Sequence, residues 1–295
     1  MARQLNIRLD SPAVFMTWGD KPYPLGTRGH APDGRAFRLA RAGGTALSIG
    51  RTAQAALPDP RMRNIGTAGE FDGRTNVLTL RVGNLVNALE SGATAAGEYD
   101  DGLLYVVSGA GAGHVYRISS SEAGDPANGR LEIALDTHQS GALGFNGIRT
   151  STRVTLFRNR FRNLAIADSP PKTAVAGATP EDISANLYFW LQTHGACAIM
   201  QEGQTEAYRP VAASKVTQGA VHLATTTVPD PDTVGRQHYN TDGLAVVSVI
   251  RPGDTDAERL APVSGVGVVP DVQLGYVLDE GADGAFALVH LTVEV

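Results

Sequence analysis

The chain has 295 residues, of which 42% are hydrophobic and 19% are charged, and its formal net charge is −5. This length and hydrophobic content can form a buried core, so a wholly disordered chain is excluded. The mild negative charge argues against nucleic acid as the main partner, and the single cysteine, Cys197, excludes an intramolecular disulfide and a multi-cysteine metal site.

Residues 1–62 form a proline-rich segment with little hydrophobic periodicity. Proline lacks a backbone donor and restricts φ, so we expect an extended arm with short strands at 36–40 and 46–49. The first ten residues have no apolar stretch and so predict no secretory signal, and no apolar run reaches the roughly 18 residues of a membrane span. Because a disordered tail would expose its aromatic residues, we expect the arm to lie on another surface.

Residues 63–167 contain short apolar stretches between turn signals, which predict a β-rich domain. The expected strands are 77–82, 103–107, 114–119, 131–135 and 153–157. The glycine-rich stretch 109–113 separates two of them and predicts a hairpin loop. Many of the 34 glycines belong to Asp-Gly and Asn-Gly pairs, which favour tight turns between strands.

Residues 168–295 predict a second β-rich domain, which begins with a proline-rich connector at 168–180. Further strands are expected at 187–191, 196–200, 221–226, 244–250, 272–278 and 286–293. Helical spacing occurs only at 82–89. The predicted fold is therefore mainly β, with short antiparallel strands that form one or two sandwich or barrel units behind the extended N-terminal arm.

No motif in the sequence predicts catalysis, a metal site or a cofactor. The 109–113 glycines are followed by a strand pattern, whereas a phosphate-binding loop needs a helix there. The seven histidines form no local ligand pair, and Cys197 lies in an apolar stretch typical of a buried residue. Carboxylate pairs across strands cannot be identified from one sequence, so a glycoside-active enzyme stays open as a third interpretation.

Five arginines lie within 14 residues, at positions 149, 153, 158, 160 and 162. Phe157 and Phe161 lie among them, and no acidic residue occurs from 137 to 167. This pattern is compatible with a single-stranded nucleic-acid groove, a protein interface or a charged strand edge. We favour the protein interface because the total charge is negative.

Several stretches, in order, resemble the capsid decoration (cement) proteins of tailed bacteriophages from marine and other environments. They are 33–47 (DGRAFRLARAGGTAL), 99–107 followed by 116–118, 186–195 (NLYFWLQTHG), 265–268 and 282–291. The third stretch resembles the most specific motif of that family. The resemblance extends from about residue 33 to the end of the sequence.

The resemblance implies a non-enzymatic virion protein, made in the host cytoplasm, that binds the major capsid (coat) protein between capsomers. It also implies self-association as a homotrimer and stabilisation of the phage head, with no cofactor, direct nucleic-acid contact or membrane. The expected core motif is Tyr188, Trp190 and Gln192. The expected interface residues are Phe15, Trp18, Tyr23, Phe37, Arg38, Arg149, Arg153, Arg158, Arg160 and Arg162.

The alternative function is a carbohydrate-binding or host-attachment module, such as a head fibre or tail protein. An exposed Trp18 or Trp190 on a flat sheet would favour it, because sugars stack on exposed aromatic rings.

Overall fold

The computed structural model describes residues 6–69, 76–82, 94–125, 129–136, 148, 150–224, 237–239, 245–247, 273–282 and 284–293. Two short 3-10 helices occur among them, at Ser11–Phe15 and Pro60–Met62. The remaining regular elements are strands, so the predicted mainly-β class with short antiparallel strands is confirmed.

The strands, in chain order, are β1 (Asn6–Arg8), β2 (Thr17–Trp18), β3 (Arg28–His30), β4 (Ala36–Arg41), β5 (Thr52–Gln54), β6 (Ile65–Thr67), β7 (Val77–Arg81), β8 (Leu103–Ser108), β9 (Val115–Ser121), β10 (Arg130–Leu135), β11 (Arg153–Phe157), β12 (Ala165–Ile166), β13 (Val175–Ala178), β14 (Tyr188–Met200), β15 (Pro210–Ala213), β16 (Val221–Leu223), β17 (Gln237–Tyr239), β18 (Ala245–Val247), β19 (Gln273–Asp279) and β20 (Phe286–Thr292).

Strands β6 to β11 close into a barrel in the order β10-β7-β6-β11-β8-β9. Side chains alternate along each strand, so one set points inward. In β7 and β10 the inward set includes Leu78, Leu80, Leu131 and Ile133, which are buried in the barrel core. The predicted hairpin across 109–113 is confirmed, because β8 and β9 pair antiparallel on either side of it.

Twelve other strands form a large sheet around the long strand β14. Its main path is β1-β3-β4-β14-β20-β19-β15-β16, and β2, β5, β12 and β13 attach beside it. β14 pairs with β4 along its first half and with β20 along its second half. The remaining strands, β17 and β18, pair with each other.

The N-terminal segment lies on the large sheet of its own chain. Leu9 and Val14 pack with Trp190 in one buried cluster. β4 is the direct neighbour of β14, although the sequence placed residues 36–41 in a peripheral arm. Its apolar residues alternate between two cores, with Phe37 and Leu39 on one face and Ala40 on the other. The arm therefore supplies a central strand.

Four sequence expectations differ from the structure or lie wholly or partly outside the described residues. The proline-rich connector contains β13, whose small residues pair with β5 and β14. The stretch with helical spacing at 82–89 lies outside the described residues, except for Val82. Much of the expected strand at 244–250 also lies outside them, and the expected strand at 221–226 is described only to residue 224.

Candidate protein-binding surface

The outer face of the barrel carries five exposed apolar side chains. They are Leu103, Tyr105 and Val107 of β8, Val115 of β9 and Phe157 of β11, with 37% to 56% of each residue accessible to solvent. Single apolar residues on a surface are normal, but a contiguous group marks an interaction site. We call these five residues the barrel face.

The strand register brings these side chains together. Leu103 lies opposite Phe157 on β11, and Tyr105 lies opposite Val115 on β9. Directly opposite residues of antiparallel strands point to the same side of the sheet, where their side chains touch. The residues between them, Leu104 and Val106, point inward and are fully buried. β8 is therefore apolar on both of its faces.

Asp101 and Gly102 fix the start of β8 beside the end of β11. The Asp101 carboxylate accepts hydrogen bonds from Lys21 Nζ at 3.0 Å and from an Arg117 guanidinium nitrogen at 2.9 Å. A Cβ at Gly102 would collide with the carbonyl oxygen of Phe157, so this close approach needs glycine. The turn holds Leu103 and Phe157 in register on the barrel face.

A second carboxylate, that of Glu98, organises the arginine-rich segment. Arg158 Nε lies 2.7 Å from one Glu98 oxygen, and Arg162 Nε lies 3.8 Å from the other. Arg162 is only 4% exposed. The expectation that Arg162 contacts a partner is therefore corrected: the side chain is buried in an ion pair within its own chain.

A cleft opens beside the barrel face, between residues 55–59 and 156–160, with a volume of about 120 Å³. Leu57, Pro58 and Phe157 contribute apolar lining, and Tyr99, Asp59, Arg158 and Arg160 contribute polar groups. We call it the Arg160 cleft. Pockets that bind cofactors or drug-sized ligands measure about 300 to 1,000 Å³, so this cleft suits a single side chain.

The charges of Asp59 and Arg158 in the cleft are balanced internally. Arg61 donates to both carboxylate oxygens of Asp59, and Arg158 lies 3.6 Å from one of them. The Arg61 hydrogen bonds and the positive charges of Arg61 and Arg158 hold the pKa of Asp59 below its usual value. Asp59 is thus an ionised structural partner in this cleft.

The remaining arginines of the segment differ in their surroundings. Arg160 is exposed and lies over the Phe161 ring, with 5.1 Å between the guanidinium carbon and the ring centroid. Arg153 is exposed and donates to the carbonyl oxygen of Asn64. Arg38 is half-buried and donates to the carbonyl oxygen of Gly26. Arg149 lies outside the described residues.

The predicted aromatic interface residues of the N-terminal segment separate into three groups. Phe37 of β4 is fully buried on one face of the large sheet, in the cluster that contains Trp190, so its assignment to an interface is corrected. Trp18 and Tyr23 lie against Trp190, at centroid distances of 6.4 Å and 6.2 Å. Phe15 is exposed. The surface that the arm covers thus belongs to its own chain.

The expected core motif lies at the centre of the large sheet. Trp190 and Gln192 are buried, and Gln192 Nε2 donates to the carbonyl oxygen of Ala196 at 2.8 Å. Tyr188 is half-buried, with the Arg41 guanidinium 5.6 Å from its ring centroid. Trp190 is buried, so its indole does not lie open for stacking on a sugar, whereas Trp18 is half-buried against it.

A reactive thiol, a cluster of metal ligands and a pair of carboxylates are the groups that a catalytic or metal site would use. Burial raises the pKa of Cys197 to about 12, so its thiol stays protonated near neutral pH. Within the described parts of the chain, no cluster of three or more His, Cys, Asp or Glu side chains is arranged to hold a metal ion. The residues that line the Arg160 cleft include one carboxylate, Asp59, whereas glycoside hydrolysis needs two.

Sequence reasoning missed most of the barrel face. Of its five residues, Phe157 belongs to the arginine-rich segment whose composition indicates an interface, and the patterns around the other four predict only strands. The available signal was the uninterrupted run at 103–107, which lacks the polar alternation of a half-buried strand.

The large sheet carries a second exposed apolar surface, which the sequence analysis does not predict. Phe286 and Leu288 of β20 are exposed opposite Met200 and Ala198 of β14. We call these four residues the sheet face.

No family model, curated protein or solved structure matches this chain. No helix among the described residues is long and apolar enough to cross a membrane.

Proposed function

We propose that this chain is a non-enzymatic virion structural protein, a capsid decoration (cement) protein of a tailed bacteriophage. It binds the coat protein between capsomers, self-associates as a homotrimer and stabilises the head against the pressure of the packaged DNA. The sequence resemblance supplies the family, and the barrel face supplies a surface suited to binding a protein.

The observation that carries the binding role is the exposed apolar face of a closed barrel. A closed barrel has no edge strand, so a partner cannot join it by adding a strand and must dock on its face. Apolar and aromatic side chains with arginine at the margin are the composition of protein interfaces. Tyr105, Phe157 and Arg153 have this arrangement.

The sheet face offers a second contact surface on another part of the molecule. Phe286 and Leu288 are exposed beside Met200 and Ala198 of β14. We assign the barrel face to the coat protein and the sheet face to contacts between copies of this chain. Several such contacts in one trimer raise the overall affinity through effective concentration, even when each is weak.

The test is co-sedimentation of the purified protein with coat-protein shells of the same virus. We expect the wild-type protein to pellet with the shells and Phe157→Asp to remain in the supernatant, because a charge on the barrel face cannot be buried against an apolar surface. Lys215→Asp is the control, since it introduces the same side chain at an exposed position on another part of the molecule.

Two further measurements examine the remaining parts of the proposal. Heads that carry the protein should retain DNA to a higher temperature than heads that lack it. Analytical ultracentrifugation should give a trimer for the wild type and a smaller species for Leu288→Asp. A wild-type protein that neither pellets with shells nor changes DNA retention would overturn the proposed function.

A further inference from the structure

The Arg160 cleft has an apolar rim and two polar side chains, those of Tyr99 and Arg160, that have no hydrogen-bond or ion-pair partner among the described residues. Leu57 is 57% exposed and Phe157 is 44% exposed on its rim. Tyr99 lines the same cleft, and its hydroxyl is buried without a hydrogen-bond partner among the described residues. A buried hydroxyl of this kind gains free energy when an acceptor reaches it.

Arg160 is the charged group of the cleft that no carboxylate balances. Asp59 is held by Arg61, and Arg158 is held by Glu98 and Asp59. No carboxylate of the described residues lies within 4.0 Å of the Arg160 guanidinium; its contact is with the Phe161 ring.

The surroundings of Arg160 favour an anion. The residue is exposed as a whole, but desolvation of part of its side chain and the nearby positive charge of Arg38 lower the pKa of Arg160. A negative charge beside the guanidinium offsets the repulsion from Arg38. Burial raises the pKa of Tyr99, which keeps its hydroxyl protonated and able to donate near neutral pH.

The size of the cleft and the charges around it restrict the kind of anion. A volume of about 120 Å³ holds a carboxylate on a short side chain. A nucleic-acid backbone would present a row of phosphates, whereas Arg160 is the charged group of this cleft that no carboxylate balances. The exposed apolar rim favours a ligand with an apolar group beside its carboxylate.

We infer that the Arg160 cleft binds the carboxylate of an acidic side chain of the partner protein, with an adjacent apolar residue packed between Leu57 and Phe157. The Arg160 guanidinium and the Tyr99 hydroxyl donate to the carboxylate. This inference rests on the proposed function for the identity of the partner, which would be the coat protein. The carboxylate specificity of the cleft can be measured without that partner.

The experiment compares two small probes on the full chain, acetyl-Asp-Phe-amide and acetyl-Asn-Phe-amide. They have the same shape and differ in the charge of one side chain. Their affinities are read by NMR from the Nε–H signal of Arg160 and the ring signals of Phe157. We expect the Asp probe to bind about tenfold more tightly than the Asn probe, as a charge-assisted hydrogen-bonded pair provides.

Three variants test which groups carry this preference. Arg160→Gln should remove the preference for the Asp probe, and Tyr99→Phe, which keeps the ring, should reduce it. Arg153→Gln is the matched control: it removes an exposed arginine of β11 that does not line the cleft, and it should leave the preference unchanged. Thermal melting of each variant verifies that it is folded.

Several outcomes would overturn the inference. Equal affinity of the two probes would do so, as would an equal loss of preference in Arg160→Gln and Arg153→Gln. Binding of a single-stranded oligonucleotide that Arg160→Gln abolishes, with no binding of the Asp probe, would assign the cleft to nucleic acid instead.

The same variants separate this inference from the proposed function. If the Asp probe is preferred but the wild-type protein does not bind shells, the proposed function fails and the carboxylate specificity stands. If wild type and Arg160→Gln pellet equally with shells, the assignment of the carboxylate to the coat protein is overturned while the binding of shells stands.

Discussion

Strands β14 and β8 both carry apolar side chains on two faces, but the chain covers them differently. In β14, Trp190 packs against Leu9, Val14 and Phe37 in one buried cluster on one side of the sheet. Phe189 and Leu191 are buried in a separate cluster on the other side. In β8, the inward residues are buried in the barrel, whereas the outward residues remain exposed.

The difference separates residues that stabilise the fold from residues that are available to a partner. Burial of an apolar side chain contributes about 1.5 to 3 kcal/mol relative to exposure. In the first half of β14 the folded chain gains this free energy on both faces of the strand. In β8 the chain gains the free energy of burial on the inward face only. The outer apolar residues of β8 therefore contribute little to folding, and their free energy of burial is available for docking.

The largest expected effect is that of Trp190→Ala, which removes the centre of the cluster on one face of β14. Removal of a buried tryptophan leaves a cavity and costs about 3 to 5 kcal/mol of unfolding free energy. Urea denaturation measures the loss. Trp18→Ala is the control, because Trp18 is half-buried and its loss should be clearly smaller. Equal losses would contradict the assignment of Trp190 to the core.

Leu104→Ala and Leu103→Ala compare neighbouring residues on the two faces of β8. Leu104 is fully buried, so its truncation should cost about 3 kcal/mol. Leu103 is 45% exposed, and the same truncation there should change the unfolding free energy by less than about 1 kcal/mol. Thermal and urea unfolding measure both. A large loss for Leu103→Ala would show that the barrel face stabilises the fold.

Asp101→Asn should weaken the turn that aligns the barrel face. The carboxylate is nearly buried and accepts hydrogen bonds from Lys21 and Arg117, so the loss should be about 2 kcal/mol. Asp33→Asn removes an exposed carboxylate paired with Arg35 and should cost less than about 1 kcal/mol. Similar unfolding free energies for the two variants would contradict a structural role for Asp101.

The smallest expected effect is a pH dependence at Asp59. The pKa of Asp59 in the folded chain lies below its ordinary value of 3.8, mainly because Arg61 donates hydrogen bonds to it. Its contribution to stability is therefore fully present above that pH and is lost as the pH falls through the folded pKa. The stability difference between wild type and Asp59→Asn should be largest at neutral pH and narrow below about pH 4. Urea unfolding at several pH values measures it; a difference that stays constant down to pH 2 would contradict the ion pair.

Local patterns in the sequence predicted the mainly-β class and the hairpin at 109–113. Turn dipeptides and apolar alternation act over a few neighbouring residues, so they are visible in one sequence. The same patterns did not show that residues 36–41 form a strand beside β14. That pairing joins segments about 150 residues apart, and its register follows from side-chain packing that a local pattern does not encode.

At the candidate surface, the arginine segment also has one property that the sequence shows and one that only the fold shows. Its composition indicates an interface, and Phe157, Arg153 and Arg160 are exposed. Arg162 is buried, and Glu98, which is far from it in sequence, lies 3.8 Å from its Nε in the fold. A list of charges along the chain cannot tell a paired arginine from one that is available to a partner.

By itself, the sequence determined the class of fold, the position of many turns and the concentration of arginine and phenylalanine in one segment. These properties follow from backbone preferences and composition, which are local. Only the tertiary structure decided which face of each apolar strand is covered, which arginines are neutralised and where the Arg160 cleft opens. Those properties depend on barrel closure and on contacts between distant segments, and they separate the residues that hold this fold from those it presents to a partner.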